Sequence, residues 1–300
     1  MPILESQLET WSNQGAITTS KSTHERIRDV INGSSVFKGL NYEIYLQGSY
    51  KNSTNIRGDS DVDIVVQLNS AFTHNASLLS TAESAKFHSD YADATYTWSD
   101  FKADLISILK DYYGSAAVQV GNKSIKVSGG NGRLPADIVP CQQYRRYVRY
   151  TGFAIESDYV EGMCFWTTKD NRKVINYPKV HYDNGTAKNQ ASRQFYKPLI
   201  RIFKNARTYM DARGLFDKTL APGYFIEGLL YNVPTDKFLQ TTYQSALVEV
   251  INWLYQVDLD DFVCQNEQVV LFGNTSEQWN IKSAAQFLTA LTQLWHDWGK

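Results

Sequence analysis

Cysteine is scarce in this sequence, with three among 300 residues. Cys141, Cys164 and Cys264 stand far apart and form no CxxC or Cys/His cluster, which excludes a disulfide framework and argues against structural zinc. They read as reduced, buried or half-buried thiols. No stretch approaches the roughly 20 apolar residues that cross a bilayer, and the opening MPILESQLETW has no basic region followed by an apolar run, so a cytoplasmic protein is expected. Charge of one sign is also missing. Lys and Arg total 30 against 31 Asp and Glu, a net charge of -1, so nothing attracts DNA, RNA or an anionic membrane globally, and a polyanion would need a local basic groove. No repeat, low-complexity tract or long Gly/Pro/Ser linker divides the chain, which suits one packed unit of two lobes hinged near residue 180.

The order of elements fits an α+β fold. Residues 3–32 have helical spacing, with Ser20 as an N-cap and Gly33 as a stop. YEIYLQ at 42–47 alternates as a strand does, and GSYKNSTN after it suits a turn into a short helix. DVDIVVQL at 61–68 reads as a buried central strand whose polar end faces a cleft. A long helix is expected over 84–112, a hairpin over 116–128 across GNKS, a strand at LPADIVPCQQ, 134–143, and a second hairpin around KDN, from Met163–Thr168 to Arg172–Asn176. From about Asn189 onward the segments FYKPLIRIFKNARTYM, GYFIEGLLYNV, YQSALVEVINWLYQV and SAAQFLTALTQLWHDW are amphipathic at helical spacing. The expected division is 1–180, a core that carries the strands with an N-terminal helical scaffold, and 181–300, a helical lobe.

Chemistry concentrates in three pieces: Gly48-Ser49, then Asp61-x-Asp63 opening an apolar strand, then Asp137 inside a second strand. Residues two apart on a strand share a face, so Asp61 and Asp63 present both carboxylates to one side and a neighbouring strand can add Asp137. Three converging carboxylates repel unless a divalent cation neutralises them, and hard oxygen ligands select Mg²⁺ or Mn²⁺. Two such ions about 3.5–4 Å apart serve in-line displacement at phosphorus, the chemistry of nucleotidyl transfer. Gly48 lets the backbone approach a phosphate, and the Ser49 hydroxyl and nearby amides can donate to it. A lone DxD is more often a solvated turn; the ordered set of three pieces reverses that reading. Asp59, after Gly58, reads as a loop residue.

QGSYKNSTNIRGDSDVDIVVQL followed by LPADIVPCQQYRRY resembles the cGAS/DncV-like nucleotidyltransferases, the CD-NTases of bacterial antiphage defence. NYPKVHYDNGTAKN, RQFYKPLIRIFKNARTYM and GYFIEGLLYNVP are most similar to their E clade. The resemblance implies a polymerase-β-like core, a mixed sheet with flanking helices, joined to a C-terminal helical lobe with the active site in the cleft. It also implies an enzyme that joins nucleoside triphosphates into a cyclic oligonucleotide, which reaches a separately encoded effector. Carried over onto this sequence, Asp61, Asp63 and Asp137 hold two Mg²⁺ or Mn²⁺ ions, and Gly48 and Ser49 meet the triphosphate. Lys204 is similar to the family lysine that reaches the donor triphosphate, a compact cation suited to phosphate oxygens; the alternative is a solvated helix-face lysine. Where many relatives have serine before the tyrosine of SYFIE, this chain has Gly223 before Tyr224, losing a hydroxyl that the Gly223 amide replaces in part.

Asn176 falls where relatives often have a serine near the nucleobase. Its amide donates and accepts together, matching the imide edge of uracil, so a uridine-containing product such as cyclic UMP-AMP or cyclic di-UMP is expected. Asn184 is a rival for that task, and a strand cap is the plain reading of Asn176. Arg145, Arg146 and Arg149 among tyrosines suggest a nucleic-acid patch, but a structural role is preferred, and the zinc-containing insertion of animal DNA-sensing relatives is missing, so no DNA activator is expected. His24, His74, His88, His181 and His296 lack paired metal spacing, and none is assigned to catalysis. A transferase acting on RNA ends, a protein or a small molecule, and a catalytically dead nucleotide sensor, are the competing readings.

Overall fold

The computed structural model describes residues 1–300 apart from positions 16, 59, 60, 153 and 154, and apart from the side chain of Glu156. The chain divides into two compact units, Met1–Gly15 with Lys51–Asp59 and Val180–Lys300, and Ala16–Tyr50 with Ser60–Lys179. The first is helical and the second carries the sheet.

In the sheet unit the helix α2, Thr18–Asn32, precedes β1, Tyr42–Leu46, and the short helix α3, Gly48–Asn52, opens beyond it. The central strand β2, Val62–Asn75, runs antiparallel to β1 and parallel to β5, Ala136–Tyr147. Between them in sequence come the helices α4, Thr81–Asp90, and α5, Trp98–Tyr113, and the hairpin of β3, Val118–Val120, with β4, Ile125–Val127. The early part of β5 pairs with β4 and its later part with β6, Tyr159–Trp166, which carries β7, Lys173–Asn176. The fold class is therefore the expected one, a mixed sheet with flanking helices.

The apolar run of β2 is buried on both faces, as its continuity suggests. Val62, Ile64 and Val66 join Ile27 and Ile31 of α2 and Phe101 and Leu105 of α5 in one core, while Val65 joins Val139, Cys141 and Met163 in another. The helix expected over 84–112 is two helices. Ser80 and Thr97 each form a capping box, with Glu83 and Asp100, so the second box starts α5 afresh after the segment 91–97. Ser20 is not a cap. It is buried inside α2 and its hydroxyl donates back to the Ile17 carbonyl at 2.7 Å.

In the helical unit, α1, Glu5–Ser12, packs on α7, Tyr196–Asp211, with α8, Gly223–Asn232, α9, Tyr243–Leu254, and α10, Ile281–Asp297. Ile3 and Leu8 share one core with Phe203, Leu229, Leu247 and Leu291. Before these comes α6, Pro178–Ala191, which starts on a proline whose missing N–H costs a helix nothing at its first turn. All three cysteines are buried and free. Among the described residues no helix is long and apolar enough to cross a membrane.

Candidate active site

Parallel pairing of β2 with β5 places Asp63 directly opposite Asp137. The two share a sheet face, because each lies two residues from a valine, Val65 and Val139, of the same core. Asp61 precedes the first residue of β2 and is exposed. Burial first, and then the charge of Asp61, push the Asp137 carboxyl above its ordinary value, while Lys126, 3.8 Å away on β4, pulls the other way. The sheet unit thus brings all three predicted carboxylates into one neighbourhood.

Gly48 belongs to the same place. Its φ is +67°, and a Cβ there would lie 2.1 Å from Asp63 Oδ2. Glycine is required twice over, by the left-handed backbone and by the carboxylate pressed against it. Ser49 follows on α3, half-buried. Asp59 lies outside the described residues.

Among the described residues no three His, Cys, Asp or Glu side chains are gathered tightly enough to hold a metal ion. The carboxylates nonetheless suit a divalent cation. Their donor atoms are all hard oxygens, they are partly exposed, and burial raises the Asp137 carboxyl with a smaller contribution from the Asp61 charge, a repulsion that a cation relieves.

The helical unit holds Lys204, Gly223 and Tyr224 around a group that sequence reasoning passed over, Glu227. This glutamate is buried in the middle of α8, and each oxygen takes two donors. Oε1 accepts from Lys204 Nζ at 2.6 Å and Thr54 Oγ1 at 2.6 Å; Oε2 accepts from Asn52 Nδ2 at 3.0 Å and contacts His181 Nε2 at 2.9 Å. Burial alone would raise the Glu227 carboxyl, but the Lys204 charge and the His181 contact outweigh it and hold it far below its ordinary value. The available signal was a lone acid in the apolar run GYFIEGLLYN, which needs a buried partner.

Lys204 is accordingly a buried, paired lysine rather than a solvated one, and it also reaches Thr54 O and Oγ1 at 3.2 Å each. A Cβ added at Gly223 would come within 2.9 Å of Lys204 Cε, so the absent side chain makes room for the lysine stem. Tyr224 stacks on His181 with ring centroids 5.3 Å apart and planes 18° apart, and its hydroxyl accepts from Asn266 Nδ2 at 3.2 Å. Asn184 donates to the Gln265 carbonyl at 2.9 Å. In the sheet unit, Asn176 ends β7, and its Oδ1 accepts from the Tyr177 amide at 2.8 Å. Arg145 lies over the Phe72 ring at 3.9 Å and Arg149 pairs with Asp158 at 2.8 Å, structural positions for both.

Removing one partner from the Glu227 cluster leaves a buried charge unmatched. Glu227→Gln is expected to cost about 3–5 kcal/mol, and Lys204→Met with Glu227→Gln to recover most of it, since removing both charges of a buried pair leaves neither unmatched. Because the folded-state carboxyl lies below its ordinary value of 4.5, its contribution is present above that pH and lost as pH falls below it. Urea unfolding of the three proteins at neutral and acid pH measures both effects; equal stability throughout would remove the cluster's importance.

Comparison with known proteins matches this geometry. Residues 183–296 fit the family model of the cGAS/DncV-like nucleotidyltransferase C-terminal helical domain, and residues 31–113 fit that of the nucleotidyltransferase domain. The chain is 51% identical to the cyclic UMP-AMP synthase of Rhodothermus marinus over 300 residues, all of both chains. It is a cGAS/DncV-like nucleotidyltransferase. A second member of this family, the cyclic nucleotide synthase CdnE01 of Staphylococcus haemolyticus, is 40% identical over 99% of this chain and 100% of its own. The solved Rhodothermus marinus c-UMP-AMP synthase with Apcpp and Upnpp superposes with a TM-score of 0.90 at 50% identity, covering 100% of this chain and 98% of that one. The fold of this nucleotidyltransferase is thereby matched over its whole length.

Proposed function

We propose that this nucleotidyltransferase is a cytoplasmic synthase that joins two nucleoside triphosphates into a uridine-containing cyclic dinucleotide and releases pyrophosphate. The register of Asp63 opposite Asp137, in a chain half identical to a cyclic UMP-AMP synthase end to end, is the observation that carries this reading. The product would serve as a second messenger in antiphage defence and act on a separately encoded effector. Residues 1–180 and 181–300 are the proposed functional division, core and helical lobe.

Asp61, Asp63 and Asp137 would hold two Mg²⁺ or Mn²⁺ ions. Bound there, such ions activate the attacking ribose hydroxyl and offset charge on the leaving pyrophosphate. The protein's own part is placement. Gly48 keeps the backbone thin and turns the chain beside Asp63, and Ser49 donates a hydroxyl to phosphate. Asp137, partly exposed, would help activate the attacking hydroxyl as one of the residues that hold such an ion. Tyr224 offers a base a flat ring held from behind by His181. No covalent enzyme intermediate is needed, since positioning and charge neutralisation supply most of the rate in this kind of transfer.

Incubation with all four ribonucleoside triphosphates and Mg²⁺ or Mn²⁺, followed by phosphatase and mass spectrometry, tests the reading. A phosphatase-resistant cyclic dinucleotide containing uridine is expected; linear or RNA-attached product would transfer the activity to a different acceptor, and none at all under either metal would defeat it. Asn176→Ser is expected to shift the product away from uridine by about tenfold, since one hydroxyl oxygen cannot span the neighbouring N–H and carbonyl of the imide edge as the two ends of an amide do. An unchanged product ratio in that variant would return Asn176 to a capping role and leave Asn184 as the candidate.

A further inference from the structure

A cavity of about 780 Å³ lies in the sheet unit, on the side that α2 and α5 cover and away from the face that carries Asp63 and Asp137. Small-molecule sites have that size. Three pieces bound it: α2 through Arg26, the last turn of α5 through Tyr112 and Tyr113, and the turn 128–133 that leads into β5. The turn is tight and tied down. Gly130 and Arg133 exchange backbone hydrogen bonds at 3.0 Å each, and the Asn131 carbonyl accepts from Arg26 Nη1 at 2.8 Å.

Two guanidinium groups converge in this cavity. Arg133 lies over the Tyr113 ring, 4.2 Å from its centroid, and donates to the Ser128 carbonyl. Among the described residues neither Arg133 nor Arg26 pairs with a carboxylate, and Asp29, which also lines the cavity, stands 3.4 Å from Arg28 instead. Both charges act on one hydroxyl. Burial raises the Tyr113 hydroxyl most, and the Arg133 charge, then that of Arg26, opposes the rise. Tyr113 Oη and Arg133 Nε are buried, and neither meets a hydrogen-bond partner at ordinary geometry among the described residues. Buried donors left in that condition are costly, and they are rare unless something from outside satisfies them.

The donors select the ligand. A carboxylate is satisfied by one guanidinium fork, whereas a phosphate monoester brings three oxygens and nearly two charges, enough for both arginines and the phenol. Tyr112 adds a second preference. It is 67% exposed and stands edge-on to Tyr113, with centroids 4.8 Å apart and planes at 78°, so its faces are open to a flat ring. A long polyanion fits less well, because the cavity is closed on three sides and offers two unpaired cations rather than a basic track.

We propose that this cavity is a nucleotide site separate from the active site, that it takes a nucleoside monophosphate with its phosphate between Arg26 and Arg133 and its base on Tyr112, and that occupancy adjusts the rate of the carboxylate site. The link is short. Beyond Arg133 the Leu134 amide donates to Thr23 Oγ1 of α2 at 3.0 Å, the Pro135 carbonyl accepts from the Val62 amide at 2.9 Å, and Asp137 follows two residues later. A ligand that fixes the turn fixes the starts of β5 and β2, where Asp137 and Asp63 stand opposite each other. The regulatory half rests on the synthase reading above; the binding half does not.

Calorimetric titration of the full chain with AMP, UMP or inorganic phosphate isolates the cavity when saturating non-hydrolysable ATP and UTP analogues with Mg²⁺ already fill the active site. One further site per chain is expected, weakened about tenfold or more in Arg26→Met and in Arg133→Met. Arg26 is exposed, so that variant decides should Arg133→Met fail to fold. No site beyond the filled one, or a site that the variants keep at wild-type affinity, overturns the proposal, and phosphate bound as tightly as AMP overturns the choice of ligand. Product formation by the wild type is expected to change about fivefold when the mononucleotide fills the cavity, and to change little in the variants. A change that the variants share is competition at the active site and overturns the regulatory half. A wild-type chain that binds neither analogue and forms no product defeats the synthase reading itself, an outcome separate from these.

Discussion

Asp61→Ala with Asp63→Ala is expected to lower cyclic dinucleotide formation by at least roughly a thousandfold, the loss that follows when several kcal/mol of charge stabilisation leave a phosphoryl-transfer site. The fold should survive. Asp61 is exposed and precedes β2, and its charge works against Asp137, so its removal relieves a repulsion inside the sheet unit. Stability should therefore stay unchanged or rise slightly as activity disappears, which separates a ligand role from a structural one. Mass-spectrometric product yield measured beside a thermal melt checks both halves. Product within tenfold of the wild type would mean that the Asp63 and Asp137 register has no part in the chemistry.

Gly48→Ala should damage stability and activity together. A left-handed backbone costs a residue with a Cβ about 1–2 kcal/mol, and forcing an atom into a filled site about 1–3 kcal/mol more, so about 2–5 kcal/mol is expected in all. The atom crowded is Asp63 Oδ2, 2.1 Å from the new methyl position, so whatever relief the chain finds moves a proposed metal ligand. Product formation should fall by about a hundredfold or more, as misplacement by an ångström at a reacting centre does. The control is Gly39→Ala, also at positive φ but with nothing within 4 Å of its Cβ, which should lose stability and keep activity. Equal activity in the two variants would rule out the crowding of Asp63 as the cause.

The carboxylates were legible because strand chemistry is local. Asp61-x-Asp63 opens an apolar run, LPADIVP carries the third acid in another, and alternation along a strand assigns a face without reference to the rest of the chain. Their register was not legible. Asp63 meets Asp137 across a parallel pair whose partners are separated by two helices and a hairpin, and nothing in either strand encodes that distance. For the same reason β2 and β5 were read short. They support one another as far as Asn75 and Arg146, through polar residues that no apolar pattern marks.

Helix count failed where polar caps did the dividing. The amphipathic pattern over 84–112 is real, but the Thr97 and Asp100 box restarts the helix within it. Lys204 was noticed through a family motif, which speaks of position and not of neighbours. Its pairing with Glu227 depends on side chains from four separate stretches of sequence meeting at one point. Gly223 was read as a lost hydroxyl, whereas the structure gives that space to Lys204.

The helical unit is built from the first helix and the last. Ile3, Leu8 and Trp11 are buried against α7 and α9, and Glu5 accepts from the amides of Tyr243 and Gln244 at 2.7 and 2.8 Å, while α10 completes the same core with Phe287 and Leu291. During synthesis α1 leaves the ribosome long before its partners, and its apolar face stays uncovered until they follow. Lys204 and Glu227 emerge late as well, and their cluster is part of a core that closes only after α10 is made. A chain released early by a stalled ribosome or a premature stop then carries the three aspartates without a finished helical unit. An enzyme whose product is proposed to trigger a defence response would, by this arrangement, gain its finished helical core only once α10 has been made.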